Sequence, residues 1–322
     1  MNSVERVHAA LRRQVPDRVP IVEFVVDEKV ARAAAPGCRD VADCMDRLDL
    51  DAACCGAHFA RTGENPDGSY VDEWGVSYFP GPETVAHPVA GPIRTMEDVR
   101  RYQPPDPAAP HRLGHLPEIV RRYKGRRAVI FHCRAAFMWS AYLMGLDRLL
   151  VDFLAEPEKV MLLMDKVLAS NMEVVRRAIR AGAEVIVLGD DYAGNQGPMM
   201  SPAVFGQFIL PRLKRRVDLI HEEGAYCIKH SDGNLYPLLD MIVSAGPDGI
   251  NPIEPVAGME LREVKQRVGD RVCLCGNVDC AHLLPHGRPA DVREAVRGHC
   301  RCGARRRIYP EFVQQHSFQL QG

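Results

Sequence analysis

From residue 128 onward, short apolar runs alternate with longer stretches whose apolar residues recur at helical spacing. The apolar runs lie at residues 128–133, 184–188, 225–229, 249–253 and 271–275. Runs this short and apolar throughout are typical of strands buried on both faces, as in parallel sheets covered by helices. The alternation therefore predicts an α/β fold built on a parallel sheet.

Two further runs precede this region, at residues 21–26 and, more weakly, at 50–55, which brings the predicted strands to seven. A (β/α)₈ TIM barrel with an N-terminal extension fits this pattern and the length of 322 residues, so residues 1–322 are predicted to form a single domain. Helices are predicted at residues 5–13, 40–48, 146–182, 201–223, 235–245, 260–268 and 290–296. Residues 70–78 alternate and turn at Gly75, which predicts a small hairpin.

The charge balance argues against nucleic acid and membrane partners. The formal net charge is -1 and the pI is near 6.9, and no apolar run approaches the roughly 20 residues of a membrane span. The N-terminus lacks the apolar core of a signal peptide, and the 11 cysteines form no CxxC pair. We therefore expect reduced thiols, a cytoplasmic location and a small-molecule substrate, whereas the oligomeric state is open.

Polar residues follow most of the predicted strands, at the end where α/β folds gather their active sites. They are Asp27 and Glu28; His132 and Arg134; Asp190, Asp191 and Tyr192; His230, Ser231 and Asp232; Asn251 and Glu254; and Cys275, Asn277 and Asp279. Carboxylates, histidines and a thiol on one rim suit a divalent metal or acid–base chemistry. These residues could also have only structural roles: Asp190 and Asp191 could cap a helix, and His132 and Cys275 could pack in the core.

Several stretches together resemble the uroporphyrinogen decarboxylase superfamily, in order and at family spacing over residues 4 to about 296. They are Glu5-Arg-Val with Pro16-Asp-Arg-Val-Pro20, Asp72-Glu-Trp-Gly-Val76, Gly91-Pro-Ile with Asp98 and Tyr102, Gly189-Asp-Asp-Tyr-Ala-Gly194, His230-Ser-Asp-Gly-Asn234, and Gly276-Asn-Val-Asp279 with Leu283-Leu and Gly287. The resemblance implies a (β/α)₈ barrel, in agreement with the strand pattern.

The resemblance implies two alternative chemistries. Uroporphyrinogen decarboxylases need no cofactor and hold a tetrapyrrole with arginines near the first strand, but residues 22–29 of this chain contain no arginine. The other branch moves methyl groups between corrinoid proteins, thiols and small methylated compounds. Its zinc-dependent members carry His-x-Cys where this chain has His230-x-Asp232, and a further cysteine near the last strand. A carboxylate in place of the thiolate can still bind a metal, but it is a harder ligand and favours harder metal ions.

We therefore expect methyl transfer between a small methylated compound or thiol and a corrinoid carrier on a partner protein, with zinc as the candidate metal. The expected catalytic residues are His230, Asp232 and Asp191, and the expected metal ligands are His230, Asp232 and Cys275. The expected substrate-binding residues are Asp190, Tyr192, His132, Glu254 and Asn277. The alternatives are decarboxylation of a tetrapyrrole without any cofactor, and an inactive or binding-only relative.

The last strand of the barrel has no counterpart in the tail as written, residues 298–322, which contains no apolar run. Read from the second base of each codon, residues 304–317 are compatible with Pro-Gly-Gly-Gly-Tyr-Ile-Leu-Ser-Ser-Ser-Asn-Ser-Ile-His. This text resembles the glycine run and strand that end other family members. We therefore predict a frame slip near Gly298, a lost or frameshifted last strand, and poor stability and activity of the chain as written.

Overall fold

In the computed structural model, which describes residues 1–79, 87–303 and 311–312 (backbone alone for 299–303 and 311–312), a parallel sheet forms the centre of the molecule. Its strands, in their order across the sheet, are β1 (Ala52–Gly56), β6 (Ala128–Arg134), β7 (Val185–Gly189), β10 (Tyr226–His230), β11 (Gly249–Asn251), β12 (Cys273–Cys275) and β13 (Glu311–Phe312). Every neighbouring pair is parallel. The predicted α/β class and the predicted strands from residue 128 onward are confirmed.

Helices follow the strands along the chain and cover the sheet. They are α1 (Ser3–Leu11), α2 (Glu28–Ala34), α3 (Val41–Arg47), α4 (Met96–Arg101), α5 (Leu116–Tyr123), α6 (Ala136–Met144), α7 (Leu146–Ala155), α8 (Pro157–Arg180), α9 (Pro202–Val204), α10 (Leu210–Glu222), α11 (Leu239–Ser244), α12 (Leu261–Val268), α13 (Leu283–His286) and α14 (Pro289–Gly303). A π-helical turn, Phe205–Ile209, joins α9 to α10. None of the described helices has the length and apolar composition needed to cross a membrane.

Alternate residues of the strands enter two different apolar clusters, because side chains point to opposite faces of a strand in turn. Ala128 and Ile130 of β6 pack with Val187 and Ile228 in the inner cluster, whereas their neighbours join the larger cluster under the helices. Helix α1 closes one end of the inner cluster with Val7, Ala10 and Leu11. The carboxyl ends of the strands lie at the other end, where polar side chains are expected.

The predicted first strand at residues 21–26 is wrong as an element of the sheet. Its described hydrogen bonds join Ile21 to Asp51: the Ile21 amide donates to the Asp51 carboxylate (2.9 Å), and the Ile21 carbonyl accepts from the Asp51 amide (2.7 Å). Asp51 is fully buried and also accepts from Arg6 (2.6 Å) and Arg18 (2.9 Å). The Asp51 carboxylate thus holds the start of the segment, and Val22 and Phe24 pack in the inner cluster, whereas Ile21 and Val25 are exposed.

The predicted hairpin is confirmed and belongs to a four-stranded antiparallel sheet beside the barrel. Its strands are β2 (Arg61–Glu64), β3 (Tyr70–Asp72), β4 (Ser77–Phe79) and β5 (His87–Ala90), while β8 (Ala193–Gly194) and β9 (Gly197–Pro198) form a separate small ribbon. Trp74 in the turn between β3 and β4 stacks on Trp139 of α6, with ring centroids 4.3 Å apart. This stack anchors the accessory sheet to the barrel.

The C-terminal part differs from the sequence-based expectation. Helix α14 continues to Gly303, and the two residues of β13 pair with Leu274 and Cys275 where no strand was expected. Among the described strands, β1 and β13 are the ends of the sheet and are not paired with each other. Residues 304–310 and 313–322 lie outside the described part, so the frame slip stays a prediction.

Candidate functional site

The loops after β7 and β10 bring together two carboxylates and an imidazole. One potential ligand atom from each of Asp191, His230 and Asp232 lies within 4.8 Å of the others. The Nε2 atom of His230 is 3.8 Å from Asp191 Oδ1 and 3.8 Å from Asp232 Oδ1. The three side chains are 30%, 21% and 48% exposed, so a small molecule can reach them from solvent. We call these residues the acidic trio.

The imidazole of His230 is oriented by Asn251, which is the paired residue on the neighbouring strand. The Asn251 amide nitrogen donates to the Cys275 carbonyl (3.1 Å), so its oxygen faces His230 Nδ1 at 2.6 Å. An amide oxygen only accepts, and Nδ1 therefore carries the hydrogen. Nε2 is left as the nitrogen that faces the carboxylates, as in protein sites where the second ring nitrogen of a metal-binding histidine is hydrogen-bonded.

Backbone contacts fix the two loops against each other. The Asp232 amide donates to Asp191 Oδ1 (3.1 Å), and the Ser231 hydroxyl accepts from the Tyr192 amide (2.9 Å). Gly233 has a φ of 88° and lies against the Ala193 backbone, where a Cβ atom would overlap the Ala193 carbonyl group. Glycine is therefore required directly after Asp232.

Glu254 forms the next carboxylate beyond the acidic trio. Its Oε2 accepts from the Gly233 amide at 2.7 Å. Burial raises the pKa of Glu254, and the charges of Asp232 and Asp191 raise it further, although the Gly233 amide and His230 oppose this. Glu254 thus retains a proton to higher pH than an exposed glutamate does.

Asp190 and Tyr192 lie beside the acidic trio in sequence but behind the strands in space. Asp190 is buried, and its two oxygens accept from the Phe137 amide (3.0 Å) and the Met138 amide (2.9 Å) at the start of α6. Tyr192 is also buried, and its ring lies 4.2 Å from the Lys229 ammonium. Helix capping and core packing account for these contacts, and their predicted contact with substrate stays a prediction.

Lys229 is buried behind the same strand ends and joins them. Its ammonium donates to the carbonyls of Asp190 (2.7 Å), Leu188 (3.4 Å) and His230. Burial lowers the pKa of Lys229 to about 8, although the charges of Asp190 and Asp191 oppose the shift. The bonds to two strands hold the backbone on which Asp191 and His230 stand.

His132 and Asn277 occupy the edges of the pocket. The ring of His132 lies over Gly56, where a Cβ atom would overlap it. Burial, with the nearby positive charges of Arg134 and His230, lowers the pKa of His132 to about 4, so the imidazole is neutral at pH 7. Asn277 is buried, and its amide nitrogen reaches the Met259 carbonyl at 3.5 Å.

Cys275 is not part of the cluster of potential metal ligands found among the described residues. Its side chain is fully buried in the inner apolar cluster, and its sulfur lies 3.3 Å from the position of a Cβ built on Gly249. The structure thus brings Asp191, and not Cys275, to His230 and Asp232. The strand that ends at Cys275 was predicted from the sequence. Whether the Cys275 side chain is buried depends on the register of this strand with β11, which the sequence does not show.

Comparison with known proteins identifies the family. The family model for uroporphyrinogen decarboxylase (URO-D) matches residues 75–309, which is most of the chain. The chain belongs to the URO-D family. This confirms the superfamily assignment made from the motifs.

Relatives of the URO-D family with curated names are distant. The chain is 26% identical over 225 residues to uroporphyrinogen decarboxylase from Aeromonas salmonicida, and 27% identical over 252 residues to that from Geobacter metallireducens. These matches cover 64% and 73% of this chain. The chain spans 58% of the first relative's length and 66% of the second's.

A solved structure shares the fold over nearly the whole chain. It is described as a methyltransferase from Methanosarcina mazei, with a TM-score of 0.78 and 18% identity, and the match covers 99% of this chain and 94% of that one. At this identity the likeness shows the fold alone. It agrees with the barrel expected for the URO-D family, although the described strands do not close.

Asn251 gained importance only in the structure. The sequence placed it among the polar residues that follow strands and gave it no role, yet it orients His230. Its signal was positional, because it ends the strand next to His230. Asp27 and Glu28, in contrast, were predicted at the rim but have local contacts in α2. Asp27 accepts from the Lys29 amide (2.7 Å) as the helix cap, and Glu28 pairs with Arg32 on the surface.

Proposed function

We propose that this URO-D family member transfers a methyl group between a small methylated compound or thiol and a corrinoid carrier on a partner protein. The observation that carries the proposal is the acidic trio, with the imidazole Nε2 directed at two solvent-accessible carboxylates. One nitrogen and two oxygen donors suit a divalent cation, and three protein ligands leave a position for substrate.

One imidazole and two carboxylates are a donor set that zinc accepts. Asp191 supplies a third ligand in place of Cys275, and the hydrogen bond from His230 to Asn251 supplies the outer contact that metal-binding histidines have. Asp191, His230 and Asp232 would hold the ion, and zinc held there would lower the pKa of a substrate thiol and make it a better nucleophile. Two carboxylates make the metal a harder Lewis acid than a cysteine ligand would, which also suits the oxygen of a methoxy substrate.

The other residues of the pocket orient the reaction and exchange protons. The thiol sulfur supplies the electron pair of the new carbon–sulfur bond, the methyl group leaves its carrier without bonding electrons, and the thiol proton is released. Glu254 is the proposed acceptor of that proton, because a raised pKa makes its carboxylate a stronger base than that of an exposed glutamate. His132 is neutral at pH 7 and presents an uncharged ring on the pocket wall.

A second candidate function is decarboxylation of a tetrapyrrole without a cofactor. The curated names of the relatives favour it, at identities of 26% and 27%. In that reaction Asp191 and His230 would stabilise the protonated intermediate. The absence of arginine from residues 22–29 counts against a substrate with several carboxylates.

Two assays on the zinc-loaded chain separate these functions. We expect demethylation of methylcobalamin in the presence of 2-mercaptoethanol, followed by visible absorbance, and no loss of carboxylate from uroporphyrinogen, followed by chromatography. His230→Ala should abolish the first activity, whereas His115→Ala, at an exposed position, should retain it. Decarboxylation without demethylation would favour the second candidate.

A further inference from the structure

Arg134 stands on the same rim as His230, two strands away. Strand pairing places Arg134 opposite Gly189 and Gly189 opposite His230, so the three residues lie at one level. Neighbouring strands are about 4.8 Å apart, which puts the Cα atoms of Arg134 and His230 about 10 Å apart. A small molecule can span this distance.

Arg134 and His230 also share the inner face of the barrel. Ala128 and Ile130 pack in the inner cluster, as does Ile228. Because side chains alternate along a strand, Arg134 follows Ile130 on this face and His230 follows Ile228. Both side chains therefore start from the wall of the same pocket.

Within the described part of the chain, the guanidinium of Arg134 contacts an aromatic ring and has no hydrogen-bond acceptor. The Arg134 side chain is half-buried, and its guanidinium lies over the ring of Tyr142, 5.0 Å from the ring centroid. Among the described residues, no carboxylate lies within ion-pair distance of Arg134, and no oxygen accepts a hydrogen bond from its side chain. A guanidinium has five donors, and its stacking on an aromatic face leaves its edge available.

The space between Arg134 and His230 is open because the intervening residue is Gly189. A Cβ atom at Gly189 would meet only the Cys133 carbonyl oxygen, at 3.8 Å. The φ of Gly189 is not in the left-handed region, so backbone conformation does not require glycine there. The missing side chain instead leaves room for a ligand along the pocket wall.

We propose that Arg134 binds a carboxylate of the small-molecule substrate, whose reacting thiol or methylated group reaches the acidic trio across Gly189. The planar guanidinium fork matches a carboxylate, which can accept two parallel hydrogen bonds. The inference rests on the proposed function and names its substrate class: a small thiol or methylated compound with an anionic end. Arg134 is then a specificity-determining residue.

Calorimetric titration of the zinc-loaded chain with two matched thiols tests the inference. The probes are 3-mercaptopropionate and 3-mercaptopropan-1-ol, which differ in the charged end. We expect the carboxylate to bind about tenfold more tightly or better, because one charge-assisted hydrogen bond contributes on that order. Arg134→Gln should remove this preference without changing binding of the alcohol, whereas Arg121→Gln, at an exposed position, should keep it.

The outcomes distinguish this inference from the proposed function. Equal binding of both thiols by the unaltered chain would overturn the role of Arg134 and leave zinc-dependent thiol binding intact. If neither thiol binds, thiol chemistry is wrong, and propionate then tests Arg134 alone. Propionate should shift the ring resonances of His132 saturably in the unaltered chain but not in Arg134→Gln; the same shift in both would overturn the inference.

Discussion

At the scale of single residues, the hydrogen bond between Asn251 and His230 decides which imidazole nitrogen faces the carboxylates. We predict that Asn251→Leu weakens zinc binding by about 10- to 100-fold, the usual effect of removing an outer contact of a metal-binding histidine. Competition with a chromophoric chelator measures the affinity, and the melting temperature controls for loss of fold. An unchanged affinity in a folded variant would show that Asn251 does not orient the ligand.

Cys280 reports the charge of the same pocket. Burial, together with the charges of Asp232 and Glu254, raises the pKa of its thiol to about 11. Alkylation requires the thiolate, so removing a negative charge lowers the pKa and speeds the reaction. Asp232→Asn should therefore increase the rate of iodoacetamide modification of Cys280 several-fold at pH 8.

Peptide mapping by mass spectrometry follows that modification at Cys280 alone. Asp218→Asn, on an exposed pair with Lys214, serves as the control and should leave the rate unchanged. Zinc should act in the same direction as Asp232→Asn, because a cation at the acidic trio offsets the carboxylate charges. If neither Asp232→Asn nor zinc changes the alkylation rate, the charges of the acidic trio do not affect the pKa of Cys280.

At the scale of elements, Asp190 connects the end of β7 to the start of α6. Its buried carboxylate accepts two amides of the first turn, and Asp190→Ala leaves both donors without this acceptor. We predict a loss of about 2–4 kcal/mol in the free energy of unfolding, measured by urea denaturation. Asp147→Ala, in the exposed first turn of α7, should cost far less.

The same variant separates a structural Asp190 from a substrate ligand. If the carboxylate serves only α6, zinc stoichiometry and thiol affinity remain unchanged in the folded fraction. A normal stability combined with lost thiol binding would contradict the structural role. Asp190 would then take the substrate-binding role that the sequence suggested.

The strands that were predicted correctly are those whose own residues decide their environment. Residues 128–131 are apolar on both faces, so their burial between the helices and the barrel interior could be inferred locally. Residues 21–26 have a similar composition, but their pairing is limited to the contacts of Ile21 with Asp51. A partner 30 positions away is not visible in a local pattern.

The site residues also divide into those that a local pattern predicts and those whose role depends on tertiary packing. His230, Asp232 and Asp191 follow predicted strands, and the rule that sites gather at the carboxyl ends of strands was enough to predict that they lie on one rim. The depth of Cys275 and the capping role of Asp190 depend on register and on the position of α6. Those quantities arise from packing, which a single sequence does not display.

At the scale of the whole molecule, closure of the barrel is the open structural question for stability. The described sheet ends at β1 on one side and at the two residues of β13 on the other. We predict that replacing residues 304–317 by the shifted reading, with its glycine run and Tyr-Ile-Leu, raises the melting temperature by at least about 5 °C. A full closing strand buries more apolar surface and pairs both edges.

Differential scanning calorimetry of the two chains measures this change, and a scrambled version of the replacement is the control. Equal melting temperatures for all three would contradict the frame-slip hypothesis as a cause of instability. Sequencing of the DNA across codons 295–320 tests its origin separately.

The zinc content of dialysed protein tests whether Asp191, His230 and Asp232 form a metal site. Inductively coupled plasma mass spectrometry should find about one zinc per unaltered chain. His230→Ala, Asp191→Asn and Asp232→Asn should each bind at least about tenfold more weakly, while Cys275→Ser and His115→Ala should retain zinc. If zinc persists in His230→Ala and Asp191→Asn, or is lost in a folded Cys275→Ser, the acidic trio does not bind the metal.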